Sequence, residues 1–462
     1  MVFSSITFLY GFLPLILLAW FVAPKSMRNW VLLLGSLFFY AFGQPSFVLL
    51  LLFASVSNWA FALRLSRTRG TKGARQILIA AICVNLLLLG FFKYADFLIG
   101  SVNQVLGTAI PLLHIPLPIG ISFFIFQSMS YVIDVYREEV VPQRSLAQFT
   151  TYVALFPQLI AGPVVRYGDV EQGLRNRSSS MNQLYSGVRR FTMGLAKKVL
   201  IANSMDELCS AFRGANEQSV LFVWIYALAF TLQIYFDFSG YSDMAIGIGQ
   251  MLGFRFPENF RYPYSSRSIT EFWRRWHITL GSWFRDYVYI PLGGNRKGKH
   301  VWLRNLAIVW LLTGLWHGAA WNFALWGFLY GLLLMVEKLF LGKYLEKSKV
   351  LSHIYVLFFT LLGFVIFNAD GMGGMTRDLS SLFGLSGLPL WSAETSYYLN
   401  SYFLTLVIAI VGVTPLPKLL AQRWEKKPVM TILEPLAVGL LLLMSTAFLV
   451  DGSFNPFLYF RF

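Results

Sequence analysis

The chain has 462 residues, of which 56% are hydrophobic, 17% aromatic and only 13% charged, about half the charged share of a soluble domain. A soluble fold of this composition would expose apolar surface it cannot cover, which excludes a soluble enzyme, a disordered chain and a disulfide scaffold, and leaves a polytopic membrane protein. The formal net charge of +16 would suggest nucleic acid in a soluble protein, but here Lys and Arg gather in short loops beside apolar runs, as the positive-inside rule and contact with anionic lipid require.

The apolar runs are continuous and do not alternate, so the expected fold class is an all-α polytopic membrane protein and not a membrane barrel. No basic n-region precedes the apolar N-terminus and no small-residue cleavage site is clear, so residues 3–23 are expected to form a first span. Further candidate spans cover 29–42, 46–63, 76–92, 97–113, 117–136, 148–165, 190–212, 218–238, 301–316, 318–336, 352–368, 399–420 and 430–450. Several fall short of the roughly 20 residues a span needs, so 10 to 13 true spans are expected, with broken or re-entrant helices among the rest. Lys25 and Arg28 follow the first candidate. Arg64, Arg67, Arg69, Lys72 and Arg75 follow the third. If spans alternate, both loops lie on one side, which the charge rule makes cytoplasmic, and the N-terminus is expected outside. Cys83 and Cys209 are far apart in apolar stretches and form no disulfide framework or metal cluster. One integral-membrane domain is expected over residues 1–462, with its core at about 117–340.

Residues 270–290 (TEFWRRWHITLGSWFRDYVYI) carry too many charges for a lipid-facing span. Trp273, Trp276, Leu280 and Phe284 recur three or four residues apart, so the segment reads as an interfacial amphipathic helix or a re-entrant element buried in protein. Upstream, Asp237, Tyr241 and Asp243 end an apolar run. Buried carboxylates are costly unless paired, and Arg274, Arg275 or Arg285 are the expected partners. An ion-pair lattice that fixes a broken helix is one reading of this cluster and direct catalysis by an Asp is another. Asp286 follows Arg285 in the same polar set.

Residues 305–336 contain no Asp, Glu, Lys or Arg. As one helix they would be roughly 48 Å long against a hydrocarbon core of about 30 Å, so two segments or one broken one are expected. Trp316-His317-Gly318 stands in the middle, followed by Trp321-Asn322. His317 is about 20 Å from Arg304 if the run is helical, deep enough that an ionisable group is read as functional. Imidazole has a reference pKa of about 6.5 and suits a general base; bracing of helices by a hydrogen-bonded His is the alternative. His277 lies in the Arg-rich segment, where a packing or headgroup contact is equally open. The gap of 40 residues between the two histidines rules out an adjacent metal pair, and no Gly-x-Ser-x-Gly elbow, Walker loop, dinucleotide fingerprint or zinc motif is visible.

At these residues the sequence resembles the membrane-bound O-acyltransferases (MBOAT), most of all the bacterial branch that holds the membrane subunit of alginate O-acetylation. The resemblance is carried by MVFSSITFLYGFLPL at the start, LPIGISFFIFQSMSYVIDVYR at 117–137 and LFPQLIAGPVVRYGD at 155–169. It continues with QIYFDFSGYSDMAIGIGQMLGFRFPENF at 233–260, SITEFWRRWHITLGSWFRDYVYIPLGGNR at 268–296 and LLTGLWHGAAWNFALWG at 311–327. It implies that His317 is the family's catalytic base and His277 its second recurring polar position. It implies tilted helices ringed around a thinned centre with a tunnel, and a bacterial inner-membrane location. It further implies acetyl-CoA as a cytoplasmic acyl donor with no tightly bound cofactor, and an outer hydroxyl acceptor supplied directly by a polysaccharide or through a periplasmic SGNH-type partner. Trp316, Trp321 and Asn322 are then candidate oxyanion donors. The rival expectations are peptidoglycan or other envelope acetylation on the same fold, and a transporter-like carrier or a scaffold without its own chemistry.

Overall fold

The computed structural model describes residues 1–176 and 180–452. All regular structure among them is helical, and the helices cluster into two compact units, Met1–Phe191 with Ser242–Pro257, and Thr192–Tyr241 with Glu258–Phe462. Seven helical stretches are long and apolar enough to cross a membrane: Pro45–Arg67, Lys72–Leu106, Val220–Met251, Trp321–Leu345, Lys349–Phe367, Ala393–Gly412 and Met430–Asp451. Thr7–Val22 and Ile121–Tyr136 are shorter apolar helices. The chain is therefore a multi-pass membrane protein.

In the first unit a π-helical turn leads into α1 (Leu13–Val22), followed by α2 (Arg28–Gly43), α3 (Val48–Arg67), α4 (Lys72–Leu106), α5 (Ile121–Tyr136), α6 (Leu146–Ala154), α7 (Phe156–Leu159), α8 (Tyr167–Arg175) and most of α9 (Met181–Ala196). The two candidates 76–92 and 97–113 are one helix, α4, of 35 residues. Lys93 and Asp96 do not break it because neither removes a backbone donor, and it stops where Gly107 turns left-handed. The candidate 148–165 is not a span: α6 ends at Leu155, and Pro157 opens the four-residue α7. Asn58 on α3 and Asn85 on α4 exchange reciprocal side-chain hydrogen bonds of 3.1 and 2.7 Å in a fully buried contact, polar glue that an apolar solvent makes worthwhile. Residues 121–135 of α5 are all buried, so its apolar circumference packs on protein, with α3 and α4 beside it.

The second unit holds a π-helical stretch (Lys197–Ala202), α10 (Asn203–Gly214), the first part of α11 (Val220–Met251), α12 (Ile269–Arg275), α13 (Ile278–Phe284), α14 (Lys299–His317), α15 (Trp321–Val336), α16 (Gly342–Leu345), α17 (Lys349–Phe367), α18 (Gly371–Leu382), α19 (Ala393–Gly412), α20 (Leu416–Trp424) and α21 (Met430–Asp451). The charge-free run 305–336 is two helices, as its length requires. Gly318 is extended and Ala320 serves as the N-cap of α15, so α14 and α15 form a hairpin. Segment 270–290 packs into protein: Phe272, Trp276, Leu280, Trp283 and Phe284 are buried. It is not one helix, however, because it breaks between α12 and α13 at His277.

Candidate active site

The hairpin turn places His317 as the last residue of α14. Its ring lies 5.0 Å from Trp316, 5.1 Å from Trp326 on α15, 5.3 Å from Phe367 at the end of α17 and 6.4 Å from His277, between centroids. His277 in turn meets Phe238 of α11 at 4.7 Å and Trp316 at 5.9 Å. Both imidazoles are buried, His277 at 1% and His317 at 5% exposure. Two histidines 40 residues apart in sequence thus share one aromatic chamber. Aromatic walls exclude water and let edge-to-face packing fix the rings.

The hairpin geometry depends on glycine. A Cβ on Gly314 would fall 2.3 Å from the Phe323 carbonyl oxygen, and one on Gly327 2.3 Å from that of Trp310. Only two bare backbones let α14 and α15 approach this closely, one turn from His317.

His277 sits in the left-handed region, φ 46° and ψ 50°. For a residue with a Cβ this costs about 1–2 kcal/mol and persists only where the surroundings over-determine it. Here they do. The Arg261 amide donates to the Arg275 carbonyl (2.9 Å) and the Ile278 amide to the Asn259 carbonyl (3.0 Å), stitching 259–261 to 275–278. Asn259 is fully buried, and its Oδ1 accepts from the Thr279 amide (3.3 Å) and hydroxyl (2.9 Å) and lies 3.2 Å from His277 Nδ1. At the other end of the segment the buried Glu337, just past α15, accepts from the amides of Ile269 and Thr270 and from the Thr270 hydroxyl. A carboxylate there satisfies the orphan donors at the start of α12 and ties the His277 segment to the His317 hairpin.

The other expected site residues fall elsewhere. Asp237 pairs with Lys198 at 2.7 Å, nearly buried on both sides. In the first unit Asp243 pairs with Arg190, whose Nε and Nη2 donate to Oδ1 at 3.1 and 2.9 Å. These partners replace the expected arginines: Arg275 pairs with Glu271, Arg285 with Asp286, and Arg274 is exposed. The reason is that Arg190 on α9 and Lys198 on the π-helical stretch after it supply the cations, while Arg274 and Arg285 are exposed on a segment that buries most of its aromatics. Tyr241 is buried in α11. Of the expected oxyanion donors, Trp316 lines the chamber. Trp321 is 54% exposed. Asn322 has its amide committed to the Ile366, Phe367 and Ala369 carbonyls at 3.2 to 3.4 Å, capping α17 and holding Phe367 against His317. Trp326, Asn259 and Glu337 were not singled out by the sequence. Trp326 is buried, and its indole N–H has no hydrogen-bond partner among the described residues, so it is a better-placed donor than Trp321 or Asn322. Among the described residues no three His, Cys, Asp or Glu side chains assemble as a metal site.

Two buried imidazoles among aromatic rings can take up and pass on one proton. The comparisons with known proteins agree with that chemistry. Residues 113–373 match the family model described as MBOAT, membrane-bound O-acyltransferase family, and both histidines fall inside the match. The chain is 38% identical to a probable alginate O-acetylase AlgI of Azotobacter vinelandii over the whole of both chains. It is 41% identical to the protein of the same name from Pseudomonas aeruginosa, over 88% of this chain and 80% of that one. It is 33% identical to a peptidoglycan O-acetyltransferase of Helicobacter pylori, over 100% of this chain and 98% of that one.

Proposed function

Since the chain belongs to the membrane-bound O-acyltransferase family, we propose that it moves acetyl groups from a thioester donor, acetyl-CoA, to a hydroxyl in the O-acetylation of an exopolysaccharide, alginate. The observation that carries this reading is the pair of buried imidazoles at 6.4 Å in an aromatic chamber. The acyl acceptor's oxygen attacks the thioester carbonyl carbon, a C–O bond forms and the C–S bond breaks. The hydroxyl proton passes to His317 and from there to the thiol sulfur, so an O-acetyl ester and a free thiol leave. Charge that develops on the carbonyl oxygen meets an indole N–H, from Trp316 or Trp326, in a site without bulk water. In this reading the protein sits in the bacterial inner membrane with its N-terminus outside. The donor enters from the cytoplasm, and the acyl acceptor is a periplasmic polysaccharide or the serine of an SGNH-type partner.

The test is acetyl analysis of exopolysaccharide and envelope from a deletion strain complemented with the wild-type chain or with His317→Ala at equal membrane level. Loss of alginate acetyl groups that only the wild-type restores supports the proposal. Likeness to a peptidoglycan O-acetyltransferase favours a second reading, which acetyl loss from peptidoglycan alone would establish. Full restoration by His317→Ala would leave a carrier or scaffold.

A further inference from the structure

We infer that Asn259 is a positioning residue of the reaction: it fixes the tautomer of His277, so that His277 presents a lone pair, and not an N–H, to the chamber it shares with His317. The inference rests on the acyl-transfer reading above. The argument begins with the amide of Asn259. The atom that faces Thr279 receives a backbone N–H, at 3.3 Å, and the Thr279 hydroxyl, at 2.9 Å. A backbone N–H can only donate, so that atom is the carbonyl oxygen, Oδ1, and not the amide nitrogen. The same Oδ1 lies 3.2 Å from His277 Nδ1. Two acceptors cannot share a hydrogen bond, so the proton of a neutral His277 is on Nδ1, which donates to Asn259. Nε2 is then left with its lone pair. It is buried and makes no hydrogen bond to the described residues, while the ring's neighbours are Phe238, Trp316 and His317.

The arrangement is built and not incidental. Two backbone hydrogen bonds hold 259–261 beside 275–278, and His277 is kept at a positive φ to complete it. When His317 takes the proton of the acyl acceptor's hydroxyl it becomes an imidazolium. A neutral imidazole nearby that shows its lone pair presents the negative end of its dipole to that cation. The opposite tautomer would present an N–H, the positive end, and oppose the proton transfer. At 6.4 Å between centroids the rings are too far apart for a direct N–H···N bond, which needs roughly 5 Å, so the effect is through space. The charged and titratable groups on the elements that meet His277 are His317 on α14, Asp237 on α11, which Lys198 neutralises, and Arg274 and the Arg275–Glu271 pair on its own segment; Glu337, just past α15, accepts from the amides at the start of α12.

The test is the pH profile of thiol release by the purified full-length protein with acetyl-CoA and a hydroxyl acceptor. Asn259→Leu removes the acceptor oxygen while keeping the volume. It is expected to lower kcat at least about tenfold and to move the acid limb of the profile to lower pH, because the His317 imidazolium loses its stabilising neighbour. Asn259→Asp restores an acceptor to Nδ1 and adds a negative charge, so it is expected to keep transfer and move the acid limb up by about one pH unit. A purely structural role predicts loss of folded protein in both variants and no shift in either limb. Unshifted profiles in both variants overturn the inference, as does a shift of the Asp variant to lower pH. If Asn259→Leu fails to insert, the Asp variant decides alone, an upward shift supporting and an unmoved limb refuting. His317→Ala, run alongside, separates the two levels. If it retains transfer, the acyl-transfer reading fails. If it is inactive and the Asn259 profiles do not shift, only the role of Asn259 falls.

Discussion

Gly314→Ala adds one methyl group a turn away from His317 and changes no chemical group in the chamber. Its Cβ would stand 2.3 Å from the Phe323 carbonyl oxygen and 3.2 Å from both Cα and N of Gly327, where ordinary contact begins at 3.4 Å. All of the obstructing atoms are backbone, so no side chain can swing aside, and α14 must part from α15 by about 1 Å. Overpacking of this kind costs about 1–3 kcal/mol. The consequence for rate is larger than for stability. His317 rides on α14 and Trp326 on α15, and a misplacement of about 1 Å costs on the order of 10²-fold in rate. Thiol release from acetyl-CoA, measured beside the amount of folded protein in detergent, should therefore fall by about that factor while most of the protein remains folded. Gly331→Ala is the internal control. Its Cβ would meet only the Trp310 side chain, at 3.2 Å, further along the hairpin from His317, and a much smaller loss is expected. Wild-type rate in Gly314→Ala, or equal losses in the two variants, would refute the claim that this glycine contact sets the position of His317.

His277→Gly removes the same imidazole as His277→Ala but relieves the positive φ, so it should be more thermally stable than the Ala variant by about 1 kcal/mol and equally impaired in transfer; a less stable Gly variant would contradict the strain. Glu337→Ala strands the buried amide of Ile269 and the half-buried amide of Thr270 and should destabilise by about 2–4 kcal/mol, with Glu337→Gln intermediate, read from thermal unfolding in detergent. Lys198→Met or Asp237→Leu alone leaves one buried charge and should cost about 3–5 kcal/mol, whereas the double substitution should recover most of that loss. A double mutant as unstable as the sum of the singles would show that the pair does more than neutralise itself. Asn322→Leu frees the terminal carbonyls of α17 and should lower the rate with little change in donor KM, because it loosens Phe367 against His317 and touches no substrate.

The break beside His317 was legible because it follows from counting: a charge-free run longer than one hydrocarbon core has to break, and the WHG sequence marks the place. Gly318 beside that histidine was visible, but the tight contact of Gly314 was not, since Gly314 is packed by backbone atoms across the hairpin. The merger of 76–92 with 97–113 into α4 was obscured by Lys93 and Asp96, which look like a loop to a hydropathy window yet leave the backbone hydrogen bonds intact. Partners of Asp237 and Asp243 could not be read, because ion pairing depends on which helix faces return together, and Arg190 and Lys198 lie inside the run read as a span over 190–212, where nothing singles them out. Asn259 and Glu337 gave little signal for the same reason. One stands in an irregular loop and the other closes an apolar run, and each acquires its role only when segment 269–279 folds back against it. The break at His277 was hidden by an unbroken helical period of apolar residues across Trp273, Trp276 and Leu280, which two short helices with a left-handed residue between them preserve.

The most direct test of the account is thiol release from acetyl-CoA, coupled to ester formation on a hydroxyl acceptor, by purified wild-type and His317→Ala proteins of matched folded content. The account predicts that both products vanish together in the variant. Ester formed at the wild-type rate without the His317 imidazole would contradict it.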